Sequence, residues 1–176
     1  MKSVMLDIGC GCSPKGDVNC DLFVGKTPHL MNEKTVVEPK KIPNFVRCSA
    51  EKLPFKDKSF DIVNASEVLE HIANPPNLIN EMKRVSRNTV TIDVPNLRRF
   101  FPEENPHHIY TWSTLSLKNF LELFFTEVVI DVSEYGAYIP LNLRQKMGAV
   151  GLSMRFLNTL LDRILGPQFQ RAICKI

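Results

Sequence analysis

Alternation of short apolar runs with helical stripes predicts an α/β sandwich whose ligand sits over the carboxyl ends of a mostly parallel sheet. Residues 4–8, 18–22, 45–48, 60–65 and 90–94 are short apolar runs bounded by polar or turn residues, as buried parallel strands require. Between them, 66–72, 77–85 and 113–125 carry helical spacing: Leu78, Met82 and Val85 form one stripe, and Leu117, Phe120, Leu121 and Phe124 another. The first run ends in an acid and a glycine turn, an arrangement suited to a ligand at the strand end. Pro75 and Pro76 suit the first turn of a helix, where a missing N–H leaves no bond unmade. Residues 127–135 and Phe169–Lys175 read as the last two strands, an antiparallel pair at the sheet edge.

Segment 4–22, Val-Met-Leu-Asp-Ile-Gly-Cys-Gly-Cys-Ser-Pro-Lys-Gly-Asp-Val-Asn-Cys-Asp-Leu, holds the first chemical signal. Gly9 and Gly11 lack the Cβ that would block a sharp turn or a close ligand. Asp21, at the tip of the next strand, can accept both hydroxyls of a ribose. The dinucleotide fingerprint does not fit, because Pro14 stands where its third small residue belongs and Asp7 would repel a pyrophosphate. An acid at position 7 suits a cationic ligand such as the amino group of S-adenosylmethionine.

The second signal is 48–72, Cys-Ser-Ala-Glu-Lys-Leu-Pro-Phe-Lys-Asp-Lys-Ser-Phe-Asp-Ile-Val-Asn-Ala-Ser-Glu-Val-Leu-Glu-His-Ile. It resembles the small class I S-adenosylmethionine-dependent methyltransferases of type 11, a group that includes quinone-biosynthesis enzymes. Val94-Pro95-Asn96 and the run 108–125 are similar to that family too, so the resemblance covers about residues 3 to 130. It implies a Rossmann-like three-layer sandwich with a mostly parallel seven-stranded sheet, an antiparallel last strand and S-adenosyl-L-methionine as cofactor. Carried over by position, it puts Asp7, Gly9, Cys10 and Gly11 at the methionine end, Asp21 and Leu22 at the ribose, and Ser49, Ala50 and Glu51 beside the adenine. Asn64 to Glu67, Ser66 and Glu67 among them, would close the pocket.

This sequence departs from the family pattern at four places. Nine residues separate Gly11 from Asp21, so the first crossover helix must be shortened to about a turn or lost. Ser49 replaces the acid that accepts the adenine amino group. Val85-Ser86-Arg87-Asn88 replaces the glycine-rich turn before the fifth strand, and the chain opens at its first strand with no preceding lid helices.

Composition fits one domain over 1–176 with a core that needs no disulfides: 44% of residues are hydrophobic and the net charge is +3. Five cysteines, an odd number, read as reduced thiols in a cytoplasmic protein. Cys10, Cys12 and Cys20 lack the C-x-x-C spacing and nearby histidine of a metal site. No signal peptide and no bilayer-length apolar run is present. Residues 136–167 form an insertion in which Leu143, Met147, Val150, Met154, Leu157, Leu161 and Ile164 share one helix face. That helix suits packing on its own domain or across a homodimer, and the basic amphipathic stretch 141–165 also suits a membrane surface.

The expected acceptor is a small molecule or a lipid-like one. A nucleic-acid acceptor is disfavoured, because the basic residues are scattered rather than gathered into a stripe. Methyl transfer needs alignment of the nucleophile and, for a hydroxyl, removal of its proton, which makes His71 and His108 the candidate catalytic residues. His71 also fits a core residue bonded to backbone, and His107 and His108 a solvated loop pair. The leading expectation holds no metal. An alternative joins Glu67, Glu70, His71 and His108, resembling the metal-dependent small-RNA 2′-O-methyltransferases and some quinone O-methyltransferases. A rival from another class is a non-catalytic binding module on the same fold.

Overall fold

The computed structural model describes residues 3–26, 36–96, 107–132 and 169–176. Its sheet is built from β1 (Met5–Ile8), β2 (Val18–Asp21), β3 (Phe45–Arg47), β4 (Phe60–Ser66), β5 (Ser86–Pro95), β6 (Glu127–Asp131) and β7 (Phe169–Lys175). The strands lie in the order β3-β2-β1-β4-β5-β7-β6. All pairings among β1 to β5 are parallel, and β7 runs antiparallel between β5 and β6. The expected mostly parallel, seven-stranded Rossmann-like sheet with an antiparallel last strand is therefore what the chain forms. The order reverses between β1 and β4, and a ligand crevice opens at the carboxyl side of such a reversal.

The pairing register sorts the side chains into two unlike faces. Leu6, Ile8, Val63, Ala65, Val90, Ile92, Val94, Ala172 and Cys174 share one face and are buried. They join one apolar cluster with Leu78, Ile79, Met82 and Val85 of helix α1 (Pro75–Val85) and Leu117 and Leu121 of helix α2 (Thr114–Leu121). The first turn of α1 holds Pro75 and Pro76, as expected. Ser113 caps α2: its Oγ accepts from the Ser116 amide at 3.1 Å, and the Ser116 Oγ accepts from the Ser113 amide at 2.9 Å.

The opposite face is polar. Asp7, Asn64 and Thr91 form one row, and Ser66, Asp93 and Arg171 another, with the Arg171 Nε 2.7 Å from the buried carboxylate of Asp93. The first crossover runs over this face without any helix. Instead its backbone bonds to the sheet. The Lys15 amide donates to Asp7 Oδ2 at 2.9 Å and the Gly16 amide to Asn19 Oδ1 at 2.9 Å. Asp17 and Met5 bond reciprocally, with the Asp17 amide on the Met5 carbonyl and the Met5 amide on Asp17 Oδ2. Among the described residues both α-helices cover the apolar face and a loop covers this part of the polar one.

Two expectations need correction. The strand expected over 90–94 begins at Ser86, directly at the end of α1, because without a glycine turn the chain passes straight from helix to extended backbone. An extra residue is absorbed between Ser86 and Thr89, where the register against β4 shifts. The helix expected over 66–72 is a single 3₁₀ turn, Leu69–His71. Glu67 lies in the left-handed region at φ 57° and its amide is tied to the Asp93 carbonyl, which ends β4 and prevents an α-helix from starting there. The insertion 136–167 lies outside the described residues, as does 133–135 of the strand expected at 127–135. No helix among the described residues is long and apolar enough to cross a membrane.

Gly16 tests the loop crossover. A Cβ there would lie 2.5 Å from the Val18 carbonyl oxygen, 2.8 Å from the Asp7 amide nitrogen and 2.9 Å from the Met5 carbonyl oxygen, all backbone atoms that cannot swing away. Gly16→Ala should lower the urea midpoint with an unchanged slope, a loss of about 1–3 kcal/mol. An unchanged midpoint would show that the crossover does not press on β1.

Candidate active site

A cavity of about 550 Å³ opens at the carboxyl ends of β1, β2 and β4, within the size range of small-molecule sites. Asp7, Gly9, Cys10, Gly11, Asp21, Leu22, Ser49, Ala50, Glu51, Ser66 and Glu67 all line it, as do His71 and His108. The fold thus gathers these residues around one space, whereas His107 and Ala65 do not line it. Asn64 stands behind the wall, holding Asp7.

The glycine turn follows from its backbone. Gly9 has φ 66° and Gly11 φ 54°, the left-handed region that side chains strain. A Cβ on Gly9 would also run into the Cγ2 methyl of Val68, so the turn and the segment after β4 approach too closely for any side chain. Asp21 fixes the turn from β2: its Oδ2 accepts from the Gly11 amide at 2.9 Å and its Oδ1 from the Phe23 amide at 2.9 Å. Each oxygen has a second lone pair with which to meet a ligand hydroxyl.

Asp7 is 2% exposed. Its Oδ1 accepts from Asn64 Nδ2 at 2.7 Å, and Asn64 Oδ1 in turn accepts from Thr91 Oγ1 at 2.8 Å. Burial pushes its carboxyl above the ordinary range, against the pull of the Asn64 and Lys15 hydrogen bonds. Glu67 is also raised, mainly by burial, with Lys15 and His108 drawing it down and Asp93 pushing it up.

Ser49, where the family has an acid, uses its Oγ to accept from the Glu51 amide at 3.2 Å. The adjoining Leu-Pro-Phe loop is clamped to α1. The Leu53 amide bonds Glu81 Oε2 at 2.7 Å, and Arg84 reaches the carbonyls of Leu53 and Phe55 at 3.1 and 2.8 Å. Glu81 itself grips the Arg84 guanidinium at 2.7 and 2.8 Å, which holds the Glu81 carboxyl low. Sequence reasoning missed this clamp and also Lys15, although Glu81 and Arg84 at i, i+3 on a helix were a readable signal.

Beyond β4, the Leu69–His71 turn meets the loop that carries His107 and His108. The Glu70 carbonyl accepts from the Ile109 and Tyr110 amides at 2.8 and 3.2 Å, and His71 Nδ1 lies 3.0 Å from the His107 carbonyl. The His71 and His108 rings meet edge to face, 4.6 Å between centroids. Glu70 is 1% exposed. Glu70, His71 and His108 each offer a ligand atom, and these atoms lie within 4.8 Å of one another. Of the four residues expected to converge, Glu67 stands outside this group, because the left-handed residue and the 3₁₀ turn remove the shared helix face.

The cysteines do not form such a group among the described residues. Burial, with Asp21 and Asp7 nearby, pushes the Cys10 thiol up to about 12, so it is no nucleophile. The Cys20 thiol donates to Cys48, which lowers Cys48 and raises Cys20.

Comparison with known proteins came to the same fold. Residues 24–92 match the family model described as a methyltransferase domain. An uncharacterized methyltransferase of Schizosaccharomyces pombe is 32% identical over 99 residues, 47% of this chain and 36% of that protein. The ubiquinone/menaquinone biosynthesis C-methyltransferase of Xylella fastidiosa is 33% identical over 70 residues, 40% of this chain and 26% of that protein. The chain spans only about a third of the length of the first such relatives. Among solved structures, a SAM-dependent methyltransferase from Archaeoglobus fulgidus superposes with a TM-score of 0.61 at 23% identity, covering 98% of this chain and 85% of that one. Phosphoethanolamine N-methyltransferase 2 of Haemonchus contortus, in complex with S-adenosyl-L-methionine, gives 0.62 at 15% identity, covering 99% and 49%.

The Asn64 bond to Asp7 makes a pH-dependent prediction. Asn64→Leu removes a donor that favours the charged carboxylate, so the folded-state pKa of Asp7 should rise further above its unfolded value. Below the wild-type folded value, itself above the unfolded one, the carboxyl is protonated in both folded proteins and the loss should be small. As pH rises through it the wild-type carboxyl ionises before the variant's, and the penalty should grow to about 1–3 kcal/mol above both folded values. Urea melts of both proteins from pH 4 to 8 measure this, and a pH-independent difference would contradict it.

Proposed function

We propose that the chain is a class I S-adenosylmethionine-dependent methyltransferase that moves a methyl group from S-adenosyl-L-methionine to a small-molecule or lipid-like acceptor, a reading its fold and motifs support. The observation that carries this reading is the cavity lined by residues expected from the sequence at the methionine, ribose, adenine and acceptor positions. The residues present fit the cofactor: a glycine turn that no side chain could share with Val68, an acid at the tip of β2 and a buried acid before the turn. Bound there, S-adenosylmethionine supplies a methyl group on a sulfonium leaving group.

The protein's own part is holding and proton transfer. Asp21 accepts from the ribose hydroxyls, Asp7 receives the amino group, and Ser49, Ala50 and Glu51 border the base. Because the His107 carbonyl can only accept, His71 Nδ1 is its donor, and Nε2 is the nitrogen able to take a proton from an acceptor hydroxyl. His108, edge-on to that ring, shapes the acceptor side of the cavity. A cavity of this size favours a small acceptor or the head of a lipid over a nucleic-acid strand.

A second reading rests on a separate observation, the convergence of Glu70, His71 and His108. One carboxylate and two imidazoles form a donor set suited to a first-row divalent ion such as Mn²⁺ or Zn²⁺. Held by them, an ion would lower the pKa of a hydroxyl acceptor.

Calorimetric titration with S-adenosylhomocysteine should give one site per chain, and Asp21→Ala should weaken it about tenfold or more, the loss of charge-assisted bonds to the ribose. An unchanged dissociation constant would remove Asp21 from the ribose. Label from methyl-labelled S-adenosylmethionine should then appear in a pool of small metabolites or lipids, and binding without any transfer would favour the non-catalytic module.

A chelator separates the two mechanisms. If the ion is used, EDTA should cut the rate about tenfold or more, Mn²⁺ or Zn²⁺ should restore it, and His108→Ala should abolish metal binding. Transfer at full rate in EDTA, lost in His71→Ala, supports the histidine base instead.

A further inference from the structure

The geometry points to Lys15 as the residue that recognises the carboxylate of the methionine portion of S-adenosylmethionine, so that the site reads the amino-acid end of its ligand as a zwitterion. This rests on the cofactor reading above and adds a residue to it.

The argument begins with the missing helix. In an open α/β site a helix that follows the glycine turn offers free backbone N–H groups and its positive end to an anion. Here turns and bends fill 9–17, and the Lys15 and Gly16 amides are already spent on Asp7 and Asn19. A carboxylate therefore needs a cation from a side chain.

The cavity wall makes the need sharper. Its charged lining includes four carboxylates, those of Asp7, Asp21, Glu51 and Glu67. Among the described residues, Lys15 is the one lysine or arginine that lines it. A ligand carboxylate at the β1 end of that wall, next to Asp7 and Asp21, would meet like charge without Lys15.

Lys15 is also placed for the task. Its backbone is anchored beside the acid at the end of β1 by the bond to Asp7 Oδ2, and its Nζ lies 3.2 Å from the Ser66 hydroxyl at the end of β4. The ammonium thus bridges the crevice between β1 and β4, where the strand order reverses. Its charge draws down the carboxyls of both Asp7 and Glu67, which line the same cavity. An ammonium there completes a pair of opposite charges, Asp7 for the ligand's amino group and Lys15 for its carboxylate. A purely structural lysine would only neutralise its acidic neighbours, and ligand chemistry tells the two roles apart.

The experiment is a calorimetric comparison of S-adenosylhomocysteine with its decarboxylated analogue, which keeps the nucleoside, sulfur and amino group. The wild-type chain should bind the carboxylate-bearing ligand about tenfold or more tightly than the analogue. Lys15→Met should erase that preference by weakening S-adenosylhomocysteine alone, and Lys15→Arg should keep most of it. Equal losses for both ligands in Lys15→Met, or no loss for either, would overturn the proposal. A wild-type chain that binds both equally would overturn it too. If the wild-type chain binds neither ligand, the cofactor reading itself fails and this one with it.

Discussion

The ligand end of this fold depends on one buried carboxylate. Asp7 ends the central strand β1 and is almost wholly withdrawn from water, a position that costs several kcal/mol for a charged group unless donors replace the lost hydration. Its donors come from two directions. Asn64 reaches across from β4, oriented by Thr91 of β5, and the Lys15 amide comes down from the crossover. The acid therefore both lines the cavity and anchors a helix-free crossover to the sheet. The same nine-residue segment forms the glycine turn, so the shape of the site and the satisfaction of Asp7 are one constraint.

That constraint explains why the two faces of the sheet differ. Helices α1 and α2 present apolar stripes and need an apolar face, which Leu6, Val63, Val90 and their neighbours supply. A crossover of turns has no such stripe. Its backbone amides need acceptors, and the Asp7 and Asn19 side chains and the Met5 carbonyl provide them. The polar row Asp7, Asn64, Thr91 is thus the expected counterpart of a short crossover, whereas an apolar row there would leave amides without partners.

Much of this was legible in the sequence, because strand period and strand-end chemistry are local properties. Phe169–Lys175 was placed residue for residue, and Asp7, Gly9, Gly11 and Asp21 occur where the turn demands them. The failures share a cause. Over 66–72 the spacing of Leu69, Glu70 and His71 looks helical, but one turn of spacing cannot separate an α-helix from a 3₁₀ turn, and nothing local announces that Glu67 takes φ 57°. The replacement Val85-Ser86-Arg87-Asn88 was visible, though not its outcome, a strand that starts directly after the last helical residue. The roles of Lys15 and of the Glu81–Arg84 pair were missed for another reason: the pair's i, i+3 spacing is local, but the direction of a long side chain is set by partners distant in sequence, Ser66 for one and the Leu53 and Phe55 carbonyls for the other.

The histidine pair shows how the fold separates chemistry from stability. Two main-chain bonds, from the Ile109 and Tyr110 amides to the Glu70 carbonyl, join the Leu69–His71 turn to the loop that follows β5, and the His71 ring adds a bond to the His107 carbonyl. Trp112, bridged to Asn96 and packed between the Tyr110 and Phe120 rings, carries that loop onto α2. The loop's position therefore does not rest on the His108 imidazole, which projects into the cavity from an already anchored backbone. A ring held this way can serve as a proton-handling neighbour or as one ligand of an ion without any change in the fold that supports it. The identity of the acceptor chemistry is then decided at a few side chains, on a scaffold whose own stability comes from the apolar face and from Asp7.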